Sequence, residues 1–334
     1  MKIAINGFGR IGRQILRLGL SPNEKRSFQF VAINDRSSKE IGAHLFKYDS
    51  VHPVFPAEVR VERDSIKIGK HAIRVLSETE ISGLPWRDLK VDLAMECTGK
   101  FTAKVFAEKH LQNGAKKVIV SAPCKDDDMT IVMGVNEKEY DAKKHHVISN
   151  ASCTTNCVSV VAKVLRDHLG LERAFMTTIH AYTNDQPVLD NTHHDFRRAR
   201  AAALSMIPTT SGASRSIAKI FPELKGAFEG LSIRVPTPNV SLIDLVAEVK
   251  KSVTVKSLND IFKEESHGKL KRYLGYIEEP LVSSDFIGDE HSAVVDAPLT
   301  QMLGGRFIKM IAWYDNEVGF SARMLDLAEY VGGH

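Results

Sequence analysis

Short apolar runs recur along the first half of the chain, each bounded by turn residues. Residues 2–6, 28–34, 91–96, 117–120, 131–135 and 146–149 have the length and β-branched content of buried strands. Between them, residues 13–20 and 103–113 repeat apolar positions at helical spacing. Strands alternating with helices in this way predict an α/β domain of the Rossmann type, with a doubly wound parallel sheet. Residues 49–76 read differently. Polar and apolar side chains alternate through 58–61 and again through 65–68, on either side of Arg63-Asp64, which predicts an antiparallel insertion.

From residue 153 the pattern changes. A helix runs to Gly170, and residues 174–180 read as a strand that delivers His180 to its end. Residues 185–200 are polar and irregular; 200–207 and 213–221 look helical around Thr209-Thr210-Ser211-Gly212. Alternating strands follow at 232–236 and 240–249, an amphipathic helix at 256–266, and strands at 293–295 and 307–314. Strands outnumber helices here, so this half is expected to be an α+β domain with a mostly antiparallel sheet. The closing helix carries an apolar stripe of Met324, Leu325, Leu327, Ala328 and Val331, suited to packing back on the first domain. The expected organisation is a nucleotide-binding domain over residues 1–152, joined by helix 317–334, and a catalytic domain over 153–316.

Composition narrows the function classes. With 334 residues and 43% of them apolar, each domain can bury a core. Net charge is +4 from 45 basic and 41 acidic residues without long single-sign runs, which speaks against a dedicated nucleic-acid or polybasic membrane surface. The four cysteines, Cys97, Cys124, Cys153 and Cys157, form neither a disulfide framework nor a zinc pattern, so a reducing compartment and no metal are expected. The chain has no run of 18 apolar residues, and its start lacks a signal-peptide core; a soluble cytoplasmic protein is the expectation.

Two stretches carry chemistry. Gly7-Phe8-Gly9-Arg10-Ile11-Gly12 lies between a strand and a helix, the setting in which glycines let a pyrophosphate approach a helix N-terminus. Asp35 ends the next strand, close to the spacing of about 20 residues at which an acid binds the adenosine ribose. A carboxylate there repels a 2′-phosphate, so NAD is favoured over NADP. Cys97-Thr98-Gly99 and Ser121-Ala122-Pro123 lie just past strand ends, where ligands of such sheets collect. In the second stretch, Ser149-Asn150-Ala151-Ser152-Cys153-Thr154-Thr155-Asn156-Cys157, Cys153 stands where a strand hands over to a helix. The first N–H groups of that helix and its dipole favour thiolate over thiol. A nucleophilic thiol beside a dinucleotide site suggests oxidation of an aldehyde through a thioester, with His180 as the accompanying base. Spacing alone does not choose His180 from 13 histidines.

The stretch 149–157, together with Thr178-Ile179-His180-Ala181-Tyr182-Thr183-Asn184-Asp185-Gln186, residues 197–202, Arg234-Val235-Pro236-Thr237-Pro238-Asn239-Val240 and Trp313-Tyr314-Asp315-Asn316-Glu317, closely resembles the phosphorylating glyceraldehyde-3-phosphate dehydrogenases, along essentially the whole chain. The resemblance implies Cys153 as nucleophile and His180 as base, with Asn316, Arg10, Ile11, Asp35 and Ser121 as contacts to NAD. It implies Thr183, Asp185 and Arg234 around the phosphate of glyceraldehyde 3-phosphate, and Ser152, Thr154, Ser211 and Gly212 around attacking inorganic phosphate. It also implies a homotetramer. Arg197, Arg198 and Arg200 could also touch anions, but intersubunit and surface pairing is favoured for them. The chain departs from the family pattern at Ser211, Pro53, Asn191-Thr192, Val318 and Phe320; polar residues at 191–192 make room for a 2′-phosphate and open the question of NADP. Residues 72–76 and 84–87 are similar to the sister erythrose-4-phosphate dehydrogenases, in which water attacks the acyl-enzyme. A binding protein that keeps only the nucleotide fold would have lost the nucleophile, base or phosphate ligands, and all three are present.

Overall fold

The computed structural model describes residues 1–21 and 26–334. Contacts divide it into two compact units: Met1–Ile131, Glu137–Ala151 and Ser321–His334 form the first, Val132–Asn136 and Ser152–Phe320 the second. The first unit holds a nine-stranded sheet, in the order 59–61, 65–68, 71–76, 29–34, 2–6, 93–96, 117–120, 147–149, 129–130. All its pairings are parallel except the two at the 59–76 edge. Lys2–Asn6 lies between Gln29–Asn34 and Leu93–Glu96, so strand order reverses about it and Gly7 emerges at the reversal. Such a switch point leaves a crevice at the strand ends. Ile3, Ala4 and Ile5 are wholly buried; each buried large aliphatic contributes roughly 1.5–3 kcal/mol to holding the crevice walls in place.

Four elements differ from the hydrophobic pattern. The first helix begins at Arg10, inside the glycine motif. The expected helix 103–113 is two single turns, Lys104–Ala107 and Lys109–Gln112, divided at Glu108. Residues 131–135 are no strand: the pairing is made by Met129–Thr130, while Ile131, Val132 and Met133 are apolar because they are packed, not because they are paired. No helix forms over 200–207 either. Ile207–Thr210 is an edge strand antiparallel to Phe228–Val235, and Pro208 tolerates that edge because it has no N–H to offer a further neighbour. The 49–76 insertion pairs antiparallel as expected, but its last strand, His71–Leu76, also joins Gln29–Asn34 in parallel.

The second unit is built on an eight-stranded sheet ordered 207–210, 228–235, 171–181, 241–249, 307–314, 293–296, 274–277, with 301–303 also on 307–314. Its pairings are antiparallel except 171–181 with 228–235 and 274–277 with 293–296. The parallel pair matters for the site. It sets His180 opposite Arg234, one register position from the strand ends at Ala181 and Val235. Helix Cys153–Leu169 is almost wholly buried beyond its first residue and is stopped by Gly170 in the left-handed region (φ 71°), where an L side chain would be strained.

Candidate active site

The glycine motif does three separate jobs. Gly7 has φ 97°, and a Cβ on it would meet the Thr98 nitrogen at 2.6 Å. A Cβ on Gly12 would strike the Gly7 carbonyl at 2.2 Å, so this glycine lets helix Arg10–Gly19 sit against the strand end. A Cβ on Gly9 would meet nothing within 4 Å, and as N-cap this residue supplies no side chain to the first N–H groups of the helix. That open, uncapped N-terminus fits a dinucleotide pyrophosphate. The adjoining groove, about 640 Å³, is lined by Asn6, Gly7, Gly9, Asn34, Asp35 and Thr98 among others. Asp35 accepts from the Phe8 N–H at 2.8 Å on one oxygen and from the Ser37 N–H and hydroxyl at 2.9 and 2.6 Å on the other. Burial works against its charge, but these hydrogen bonds outweigh it and hold the carboxyl below its usual value. Arg10 turns its guanidinium onto Asp49 at 2.7 Å, Ile11 is half-buried, and Ser121 follows strand Lys117–Val120 outside the groove lining. Neither Arg10 nor Ile11 is among the residues that line the groove; both lie in the first turn of the helix behind Gly9.

In the second unit, Cys153 is the first residue of its helix. Ser152 caps that helix, accepting from the Thr155 N–H at 3.0 Å, and Ala151 holds the preceding turn at φ 56°, an unusual conformation for a residue with a Cβ. The Cys153 sulfur lies 3.5 Å from His180 Nε2. Nδ1 of the same ring is 2.7 Å from the Ala181 carbonyl oxygen, a distance that requires the proton on Nδ1. Nε2 is thereby left as the acceptor that faces the thiol.

Arg234 Nη1 donates to the same Ala181 carbonyl at 3.2 Å and to Thr183 Oγ1 at 3.3 Å, 3.1 Å from the His180 ring nitrogen. Its field acts in two senses. Burial pushes the Cys153 thiol up, and Arg234 together with the N–H and hydroxyl of Thr154 pulls it back. Burial and then Arg234 both push His180 down, to about 3. Burial thus opposes the thiolate that the sequence led us to expect, while Arg234 and the start of the helix favour it. Cys157, one turn on and wholly buried, is raised well above its ordinary value and has no such help, which separates the two cysteines.

Arg198, for which the sequence reading favoured intersubunit or surface pairing, is half-buried and paired within its own chain. It donates to Asp185 Oδ2 at 2.6 Å, Thr209 Oγ1 at 3.0 Å and the Thr210 carbonyl at 3.3 Å, tying the Thr183–Asp185 segment to the loop that ends in Ser211-Gly212. It also adds to the positive field at His180 and Arg234. Its place in a basic run made it look like a surface charge; the partners that reveal it lie 11 to 13 residues away. Ser211 accepts from the Ala213 N–H at 3.2 Å and, with Thr209, Thr210, Arg197 and Arg215, lines a cavity of about 730 Å³ whose lining includes neither Cys153 nor His180. Gly212 is exposed at the start of helix Ala213–Ile220. The four residues expected around attacking phosphate thus stand as Ser152 and Thr154 beside the nucleophile and Ser211-Gly212 on a separate loop.

Thr154 leads to a second omission. Its hydroxyl is 2.9 Å from the Tyr314 hydroxyl, which is 2.8 Å from Thr178 Oγ1, and Thr178 donates to the Leu242 carbonyl at 3.1 Å. Asn316, 7% exposed, accepts from the Ser241 hydroxyl at 3.0 Å, which fixes its oxygen and leaves its NH₂ as the outward donor. Asp315 accepts the first N–H groups of the closing helix, from Glu317 and Val318 at 2.8 Å each. Among the described residues no group of His, Cys, Asp or Glu could hold a metal, and no helix is long and apolar enough to cross a membrane.

Comparison with known proteins places these features in a family. The family "Glyceraldehyde 3-phosphate dehydrogenase, NAD binding domain" matches residues 1–104, and "Glyceraldehyde 3-phosphate dehydrogenase, C-terminal domain" matches residues 152–316. The chain is 52% identical over 331 residues to a glyceraldehyde-3-phosphate dehydrogenase of Priestia megaterium and 51% identical over 331 residues to that of Geobacillus stearothermophilus, in each case covering 99% of this chain and 98% of the relative. One from Cereibacter sphaeroides is 52% identical over 332 residues, with the same coverage.

Proposed function

The chain belongs to the glyceraldehyde-3-phosphate dehydrogenase family of NAD-dependent oxidoreductases, and from that premise we propose that it oxidises D-glyceraldehyde 3-phosphate with NAD and inorganic phosphate to 1,3-bisphosphoglycerate at Cys153. The observation that carries this reading is the Cys153–His180–Arg234 cluster, in which the thiol faces an imidazole that shares the Ala181 carbonyl with the anion host.

Cys153 adds to the aldehyde carbon as His180 Nε2 takes the thiol proton, and His180 returns that proton to the carbonyl oxygen of the adduct. His180 next removes the proton of the hemithioacetal hydroxyl. When bound, NAD supplies the acceptor for the hydride released at that carbon, and a thioester remains on Cys153. Phosphate then attacks the thioester and the thiolate leaves. Arg234 and Thr183 hold the substrate's own phosphate, with Asp185 and Arg198 keeping the segment in place. A dianion on Arg234 also cancels much of the field that disfavours imidazolium, so substrate binding makes His180 a better base. Ser152, Thr154, Ser211 and Gly212 serve the attacking phosphate. Asn316 orients the nicotinamide carboxamide, and Gly7, Gly9, Arg10, Ile11, Gly12, Asp35 and Ser121 serve the rest of the cofactor.

We place the protein in the cytoplasm as a homotetramer. Exposed Phe175, Val188, Leu189, Phe196 and Met206, each 71% to 89% open on the single chain, support association; sedimentation of the purified protein tests it. For the reaction the decisive assay is NADH formation from glyceraldehyde 3-phosphate with and without inorganic phosphate. Dependence on phosphate is expected, whereas turnover indifferent to phosphate and faster with erythrose 4-phosphate would assign the sister reaction.

A further inference from the structure

The segment that carries Thr183 is held by more than Arg198. Asp185 accepts from Arg198 Nη1 on Oδ2 at 2.6 Å and faces His193 Nε2 with Oδ1 at 3.3 Å. The other ring nitrogen, Nδ1, accepts the Asp195 N–H at 2.9 Å, so the neutral imidazole carries its proton on Nε2 and donates it to Asp185. Asp195 Oδ2 in turn accepts from Thr209 Oγ1 at 2.6 Å, and that hydroxyl accepts from Arg198 Nε at 3.0 Å. These residues close a ring of hydrogen bonds, in which the His193 side chain is only 10% exposed. Burial works against the charge of Asp185, but hydrogen bonds from Arg198 and then His193 outweigh it and hold the carboxyl below its usual value.

We propose that His193 is a positioning residue for the substrate's phosphate: by occupying Oδ1 of Asp185 it keeps that carboxylate off the anion host Arg234. The proposal rests on reading Thr183 and Arg234 as the host of the phosphate carried by the aldehyde. Asp185 lies near enough to Arg234 for its charge to act there. Arg198 ties down Oδ2 of Asp185 and leaves Oδ1 to His193. With Oδ1 released, the carboxylate competes with the incoming phosphate for the guanidinium and, as an anion, repels it. An uncharged N–H donor suits this task, because Arg198 and Arg234 already lower each other's preference for charge in the same site.

The test is steady-state kinetics of the full protein as wild type, His193→Asn and His193→Gln, each with glyceraldehyde 3-phosphate and with unphosphorylated glyceraldehyde. The Asn side chain reproduces the Nδ1 acceptor and drops the donor to Asp185; the Gln amide reaches as far as Nε2 and keeps a donor there. His193→Asn should raise KM for glyceraldehyde 3-phosphate roughly tenfold with kcat within about twofold, leaving KM for NAD and kcat/KM for glyceraldehyde unchanged. His193→Gln should bring KM back to within about threefold of wild type. A ring that only shapes its turn gives the opposite ranking, since Asn then preserves the turn and Gln disturbs it. Wild-type KM in His193→Asn, Gln as impaired as Asn, or equal losses with both aldehydes would overturn the proposal and leave the phosphate-host reading standing. A wild type that oxidises both aldehydes equally well would overturn that reading and the proposal with it.

Discussion

The nucleotide groove of the first unit is made largely from backbone, whereas the reaction site of the second is made from buried side chains. In the groove, the critical features are a φ of 97° at Gly7, a missing Cβ at Gly12 and an uncapped helix start behind Gly9. At the proposed reaction site they are a thiol, an imidazole, a guanidinium and three hydroxyls, most of them facing a partner distant in sequence. The difference teaches where each site is vulnerable. A backbone site fails through sterics; a side-chain site fails when one functional group is removed while the fold stays intact.

Replacing one functional group gives the largest effect. Cys153→Ser should lower turnover by about 10⁴-fold or more while NAD binding, followed by calorimetry, stays near wild type. Arg234→Leu should cost roughly 10²–10³ in kcat/KM for the phosphorylated aldehyde with NAD affinity unchanged, and should slow alkylation of Cys153 by iodoacetamide, because the thiol loses the charge that opposes its burial. The glycines then separate within the first unit. Gly12→Ala should lower stability by about 2–4 kcal/mol in urea unfolding, since the new methyl meets a backbone carbonyl. Gly9→Ala should leave stability within about 1 kcal/mol and instead weaken NAD binding roughly tenfold, because its methyl occupies only ligand space. Equal stability losses at Gly9 and Gly12 would break the comparison.

The smallest expected effect is in pH dependence. His180 is held neutral in the folded state, with its pKa near 3, while in the unfolded chain it protonates near 6.5. Between those values the unfolded state binds more protons, so stability falls as pH drops from about 6.5 towards 3. His180→Asn should flatten that part of the curve, and urea midpoints at pH 7.5 and 5 measure it.

The same contrast explains how much of each site was legible in sequence. Gly7, Gly9, Gly12 and Asp35 declared themselves because a strand, a turn and a helix follow one another locally, and their chemistry is that of the turn. Cys153 could be placed on its helix by the same local reasoning. His180 could be placed at a strand end, but only the strand pairing puts it opposite Arg234. Tyr314 and Thr178 reach Thr154 across 160 residues of chain and through Tyr314 respectively, and no periodicity encodes such contacts. Two of the four differences in the fold are of one kind. Residues 131–133 and 200–207 have apolar content without a partner in sequence, and whether such a run pairs, packs or turns is decided by tertiary contacts.

A single oxygen atom, the carbonyl of Ala181, accepts from both the His180 ring and Arg234. The residues proposed above as base and as host of the substrate's phosphate are thus hung from one hook. On that reading, a phosphate that draws on the guanidinium is expected to leave the carbonyl to the imidazole alone. A substrate lacking that phosphate leaves the hook shared. Truncating the substrate far from the aldehyde should accordingly loosen the chemistry itself, and not only the grip.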